Sequence, residues 1–322
     1  SGSGTADISD DHTDTDAIEP PAPARSPQLI VDEDISFMVG SDWKIMSEHE
    51  GAGTLSYETS DEDIVTVNDD GLLHGVRPGH ALARVRVSAA GEYKEESAII
   101  DITVNAPDIQ KSIFLTFDDG PSENVTPELL DTLKEHGVHA TFFVIGKYAM
   151  LYPDIVKRAY DEGHTIAIHT YTHDYREIYA STEAYIEDFD ETEALIEEIT
   201  GEKPRFWRFP GGGNNGYASH DRQVEILDTL NARGYTAMDW TVSSTDAAPN
   251  YPGAEIMYEK CTEGIDMMLS AGRTPVVLMH DSEVKVSAPE VAGRLIEHYE
   301  QLGYNFRPLS DYYGDNITFI KK

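Results

Sequence analysis

Two adjacent carboxylates close an apolar run at Thr116-Phe117-Asp118-Asp119-Gly120-Pro121. Burying both is costly unless a cation neutralises one of them. Neighbouring side chains at a strand end point to different sides, so one acid can hold a metal while the other handles a proton. A plain Asp-Asp-Gly-Pro surface turn would look the same locally. A second run ends at His169-Thr170-Tyr171-Thr172-His173. Where a strand turns into a helix, that spacing brings both imidazoles to one side. Imidazole is the usual nitrogen ligand for a borderline metal such as zinc. Two His and one carboxylate would leave coordination positions open for water and substrate. A third run ends at Arg208-Phe209-Pro210-Gly211-Gly212-Gly213. The Arg fork can hold a carboxylate ionised, and the glycines allow their N–H groups to approach an oxyanion. His280 follows the apolar run 274–279, and Asp246 lies downstream of Trp240. Alone, His280 reads as a core histidine. With a carboxylate such as Asp246 beside it, the ring would be oriented and imidazolium favoured.

These groups need a frame that gathers strand ends. From 112 onward apolar runs alternate with amphipathic helical stretches. Strands are expected at 112–117, 140–145, 165–169, 206–209, 235–242, 275–279 and near 305–308. Helices are expected at 127–136, 153–162, 182–200, 221–233, 254–270 and 289–302. Repeated strand–helix units imply a parallel sheet, and this many suggest a distorted (β/α) barrel with its chemistry at the C-terminal strand ends. No G-x-G-x-x-G follows a strand, which argues against a dinucleotide fold. The helix at 182–200 carries eight acids and no basic residue. We expect Tyr185, Phe189, Ile196 and Ile199 to face the barrel and the acids to face water.

Before this barrel the texture differs. Residues 1–27 are rich in Asp, Thr, Ser and Pro and read as a disordered tether. Over 28–106 the apolar residues alternate: Val65 with Val67; Ala83 with Val85 and Val87; Ile100 with Ile102 and Val104. Turn residues at 68–71 and 77–79 separate these strands, which predicts a small β-sandwich. The segments 55–72 and 75–80 resemble the group 2 bacterial immunoglobulin-like domain. The barrel would then occupy 107–322.

Taken together, the five strand-end motifs resemble the polysaccharide deacetylase family, carbohydrate esterase family 4, also called the NodB-homology family. Thr116-Phe-Asp-Asp-Gly, His169-x-x-x-His173, Arg208-x-Pro210-x-Gly212, Trp240…Asp246 and Leu278-x-His280 follow in the family's order across 112–310. The resemblance implies that Asp119, His169 and His173 hold a divalent metal, usually Zn2+, with Co2+ or Ni2+ as alternatives. It implies Asp118 as general base, its carboxylate held by Arg208, and His280 as general acid tuned by Asp246. The Gly211 N–H would join the metal at the oxyanion. Pro210, Leu278, Trp240 and Tyr171 count as substrate-side residues, and His164 as structural. Many members carry aromatic residues where this chain has Gly211 and Ala247, so one wall of the sugar groove is expected to be more open. Tyr148 and Tyr217 join Trp240 and Tyr171 as candidate stacking faces.

Composition narrows the partners. The chain has 322 residues, 59 Asp and Glu against 24 Lys and Arg, and a formal charge of -35. Nucleic acid and anionic membrane surfaces would be repelled. The single cysteine, Cys261, excludes an intrachain disulfide and reads as a small buried apolar residue. No apolar run is long enough to span a bilayer, and no leader pattern precedes the Ser-Gly-Ser-Gly opening. A signal or anchor is therefore expected to have been removed. The resulting expectation is a monomeric, extracellular or envelope-associated bacterial enzyme. It would remove N-acetyl groups from GlcNAc residues of peptidoglycan or a chitin-like polymer, with possible wall contact through the front domain. Two alternatives are an O-acetyl-xylan esterase using the same site and a catalytically inactive sugar-binding wall protein. An amidohydrolase of small cyclic amides would require a His-x-His ligand set, which is absent.

Overall fold

The computed structural model describes residues 24–248 and 251–321. The chain divides into two compact units, one ending at Asn105 and the other beginning at Ala106. Up to residue 23, the expected tether lies outside the described residues. Arg25 is tied by main-chain hydrogen bonds to Glu92 and Lys94.

The first unit is built from small β-sheets. One sheet runs Asp34–Met38, Glu96–Asn105, Gly79–Val87, Leu55–Thr59; another runs Asp42–Lys44, Leu72–Gly75, Val65–Val67. Alternation does what its period requires: Ala83, Val85, Val87, Ile100, Ile102 and Val104 are buried, and the residues between them mostly face water. At the turn before Leu72, Asn68 Oδ1 accepts from the N–H groups of Asp70 and Leu72, and Gly71 adopts φ +77°. The side chains on the inner faces of both sheets form one core.

The second unit is a distorted (β/α) barrel. Its parallel strands are ordered Thr236–Ala237, Phe206–Trp207, Thr165–Ile168, Thr141–Val144, Ser112–Asp118, Val276–His280, Val242–Ser243. Asn305–Phe306 pairs with the start of Ser112–Asp118. Helices Val125–His136, Pro153–Asp161, Thr182–Thr200, His220–Ala232, Ala254–Ser270 and Ala288–Gln301 follow the strands. The acidic helix buries Tyr185, Phe189 and Ile196, as its period predicts.

Two features differ from the sequence expectation. The strand predicted over 235–242 is two short strands on opposite edges of the sheet. Thr236–Ala237 pairs with Phe206–Trp207, whereas Val242–Ser243 pairs with Val276–His280. The chain therefore crosses the gap between the edges at 238–241, and one continuous strand cannot pair with both. Two short helices, Gly146–Leu151 and Tyr175–Ile178, also occupy stretches expected to be loops.

The two-residue period of the strands sets what faces the interior. Along Ser112–Asp118, Ile113, Leu115 and Phe117 pack in the large cluster with the helices, and Phe114 lies in the smaller, inner cluster. Thr116 and Asp118 share the parity of Phe114. By the same count, His169 follows Ala167, Arg208 follows Phe206, and His280 follows Val276. Four polar side chains, a carboxylate, a guanidinium and two imidazoles, thus converge at the C-terminal ends of four strands.

Candidate active site

Asp119, His169 and His173 offer ligand atoms that all lie within 4.8 Å of one another. Asp119 Oδ1 is 3.3 Å from His173 Nε2 and 3.6 Å from His169 Nε2. The His169 Nδ1–H donates to the Arg208 carbonyl at 3.1 Å, which fixes the tautomer and leaves Nε2 as a lone-pair donor toward the cluster. Burial, reinforced by the nearby His173 and Arg208, pushes the His169 imidazolium well below its ordinary range. Burial also lowers His173, against the opposing pull of Asp119. Two neutral imidazoles and a carboxylate are the donor set a divalent cation takes, so these residues fit one.

The backbone around this cluster is unusual. Asp119, Thr170 and His173 all adopt positive φ, at 75°, 67° and 53°. Such conformations are uncommon outside glycine and concentrate where function demands them. Asp188, on the acidic helix, accepts from the N–H groups of Tyr171 and Thr172 and from the Thr172 hydroxyl. It holds the loop between the two histidines in place. Gly120 is required for a different reason: a Cβ there would come 2.2 Å from a carboxylate oxygen of Asp281. Asp281 is buried, accepts from Thr126 Oγ1 at 2.7 Å, and donates its N–H to the Asp118 carbonyl at 3.0 Å. Burial raises its carboxyl to about 7.

Asp118 lies beside the cluster, with Oδ2 3.7 Å from His169 Nε2. Arg208 Nη1 donates to Asp118 Oδ1 at 2.6 Å and to Thr116 Oγ1 at 2.9 Å. The guanidinium is fully buried, donates to the Met238 and Asp239 carbonyls, and lies 4.0 Å from the Phe143 ring centre. Burial raises the Asp118 carboxyl, the charges of Arg208 and His280 pull it back, and it stands at about 6. His280 pairs directly with Asp118 across the sheet. Its Nδ1–H donates to Asp246 Oδ1 at 2.7 Å and its backbone N–H to Oδ2 at 2.9 Å, leaving Nε2 without a hydrogen-bond partner among the described residues. Burial works against the imidazolium, but the hydrogen bond and charge of Asp246, followed by Asp119 and Asp118, raise it to about 9. Asp246 is held below the usual carboxylate range, because its pairing with His280 outweighs its own burial.

The glycine loop divides its donors. Gly212 N–H bonds the Phe209 carbonyl and Gly213 N–H bonds Asp239 Oδ1, whereas Gly211 N–H has no partner among the described residues. The Pro210 carbonyl accepts from the Tyr179 hydroxyl at 2.7 Å. Leu278 is buried in its strand, with its carbonyl accepting from Ser244 N–H. Trp240 is half-buried, 5.1 Å from the Phe319 ring and close over Gly212. Tyr171 contacts Gly146 and Met150. His164 Nδ1 accepts from Ala140 N–H at 3.0 Å, and burial lowers its pKa to about 4. Sequence reasoning missed Asp188, Asp239 and Tyr175. Asp188 sits in a run of acids whose other members mostly face water, so no local signal distinguished it.

Comparison with known proteins shows the family. A profile of the family described as polysaccharide deacetylase matches residues 105–238. A peptidoglycan-N-acetylglucosamine deacetylase of Bacillus cereus is 33% identical over 199 residues, covering 61% of this chain and 68% of that protein. The chain belongs to the polysaccharide deacetylase family. Within that family, carbohydrate esterase family 4, the members are hydrolases. The peptidoglycan-N-acetylglucosamine deacetylase PgdA of Listeria monocytogenes is 31% identical over 264 residues, covering 82% of this chain and 52% of that protein. This chain thus spans about half the length of that polysaccharide deacetylase. The crystal structure of the catalytic domain of a peptidoglycan N-acetylglucosamine deacetylase from Eubacterium rectale superposes with a TM-score of 0.61 at 32% identity. It covers 68% of this chain and 98% of that one.

Proposed function

We propose that this polysaccharide deacetylase removes N-acetyl groups from GlcNAc residues of peptidoglycan, outside the bacterial cytoplasm. The reading rests on one convergence: the Asp119–His169–His173 cluster, with Asp118 on Arg208 and His280 on Asp246 beside it. The relatives named for peptidoglycan deacetylation support the choice of polymer. Asp119, His169 and His173 are the residues we assign to a divalent cation, and two His with one carboxylate is a donor set that catalytic Zn2+ takes. Bound there, the ion would supply Lewis acidity, polarising the acetyl carbonyl and bringing the pKa of a water from 15.7 to about 7.

The chain's own groups carry the protons. Asp118 accepts a proton from the attacking water, and Arg208 keeps the carboxylate ionised and aimed. The new C–O bond forms at the acetyl carbon, with the Gly211 N–H donating to the developing oxyanion. His280 Nε2 donates its proton to the amide nitrogen as the C–N bond breaks. The products are acetate and a free amine. Each such proton transfer is worth roughly 10²–10⁴-fold. We further infer that the front β-unit is a bacterial immunoglobulin-like domain that contacts the wall, and that the expected tether, 1–27, serves it through the residues ahead of Arg25, since Arg25 is bonded into the unit.

The test is acetate release from chito-oligomers, peptidoglycan and acetyl-xylan, with and without chelator. Wild type should deacetylate the GlcNAc polymers and lose activity reversibly to the chelator. Asp118→Asn should lose about 10²-fold or more in kcat while still binding metal. Acetate from acetyl-xylan alone would replace the substrate assignment, and equal turnover by Asp118→Asn would remove Asp118 as the base.

A further inference from the structure

We propose that Tyr175 and Tyr217 form an aromatic shelf that takes the pyranose ring next to the sugar being deacetylated. The inference rests on the deacetylase reading above and deepens it. A cleft of about 620 Å³ opens beside the metal-ligand cluster, lined by His173, Tyr175, Tyr179 and Tyr217. That volume lies within the range of ligand clefts, roughly 300–1,000 Å³. A second cleft, of about 600 Å³ around Arg205 and Tyr313, holds none of the candidate site residues.

The three tyrosines differ in what they are free to do. Tyr179 is buried, and its hydroxyl is used up by the Pro210 carbonyl and Asn215. Tyr175 is half-buried, its ring 5.2 Å from His173 at an edge-on 85°. Tyr217 is 62% exposed, with its ring 4.2 Å from that of Tyr175. Among the described residues neither of these two hydroxyls has a hydrogen-bond partner. The backbone that carries Tyr217 is fixed by a side chain of the glycine loop. Asn215 Oδ1 accepts from the Tyr217 N–H, while its amide donates to Tyr179 Oη and to the Pro210 and Gly212 carbonyls. The shelf is therefore anchored to the same loop that presents the Gly211 N–H.

Gly211 completes the arrangement. It adopts φ +78°, and a Cβ there would come 3.3 Å from the Tyr175 ring. The space beside Gly211 is thus occupied by an aromatic ring from the His173 side of the site. A pyranose has an apolar C–H face and a rim of hydroxyls. An aromatic face with free hydroxyls at its edge matches both, since a tyrosine combines an apolar body with a polar tip. Because His173 forms part of the cleft wall, the sugar held there is continuous with the one at the cluster. The shelf is a binding and specificity element for chain length, acting through KM.

The experiment uses the full chain and chitopentaose. Tyr217→Ala should raise KM about tenfold, the size of one aromatic contact, with kcat within about twofold; Tyr217→Trp should restore KM. In parallel, titration calorimetry should show chitopentaose binding to metal-loaded Asp118→Asn about tenfold more tightly than to Asp118→Asn/Tyr217→Ala. Unchanged KM and Kd, or a loss confined to kcat, would overturn the shelf. If wild type released no acetate from either peptidoglycan or chitopentaose, the deacetylase assignment would fail, and calorimetry would still decide the shelf. Absence of any chitopentaose binding would overturn the shelf, while acetate release from peptidoglycan decides the deacetylase assignment.

Discussion

In the proposed mechanism, His280 as acid and Asp118 as base carry opposite requirements for the same proton traffic. The base works only when ionised, so activity should fall as pH drops through about 6, where Asp118 takes up its proton. The acid works only when protonated, so activity should fall again as pH rises through about 9. A cation in the cluster shifts both limbs to lower pH, because positive charge disfavours protonation of either group. Asp246 sets the upper limb. Replacing it by Asn keeps one acceptor but removes the charge, and the alkaline limb of kcat/KM should move toward the ordinary imidazole value near 6.5. An unmoved limb would mean that His280 is not the acid. The same pairing carries a stability term. His280 is raised above its unfolded value, so its contribution is full below about 6.5 and is lost as pH rises through about 9.

At the scale of elements, the histidine loop depends on a residue from another helix. Asp188 takes hydrogen bonds from two backbone N–H groups and one hydroxyl between His169 and His173. Those contacts brace a loop in which Thr170 and His173 adopt positive φ, conformations that persist where the surroundings fix them. Asp188→Ala should therefore weaken divalent-metal affinity roughly tenfold, the lower end of the effect of removing a group that orients ligands. Competition with a chromophoric chelator measures this directly. Affinity equal to wild type would show that the loop holds its own shape. The two unexpected short helices flank the same region, and both are shorter than a stretch that periodicity can reveal.

For the barrel as a whole, the decisive feature is that its sheet does not close on itself. The C-terminal segment covers the edge at Thr236–Ala237. Ile317 exchanges main-chain hydrogen bonds with Ala237 and Asp239, and Asp239 Oδ2 accepts from Phe319 N–H at 2.7 Å. Phe319 lies edge-on to Trp240 and Ile320 is buried. Asp239 also holds Gly213, so this segment supports the glycine loop from behind. Removing residues 316–322 takes away the buried Ile320 side chain, whose burial is worth about 2 kcal/mol, and should lower Tm by roughly 4–8 °C. Thermal unfolding followed by near-ultraviolet circular dichroism reads the shift. No change would mean that the segment adds nothing to the edge it covers.

Much of this was legible before any coordinates, because strand and helix periods are local. Alternation and strand length placed Asp118, His169, Arg208 and His280 at strand ends, and the amphipathic stretches located most helices to within two residues. The five motifs in order named the chemistry. Three things were decided only by the fold. Sequence distance hides which groups meet: Asp239 and Gly213 are 26 positions apart yet share a hydrogen bond that holds the glycine loop. The split at 236–243 follows from two sheet edges that exist only once the barrel has formed. The roles of Asp188 and Tyr175 come from contacts between elements, and neither residue type nor spacing carries that information. Local pattern specifies what a segment can become; burial, charge and hydrogen-bond partners depend on which distant segments are packed against it.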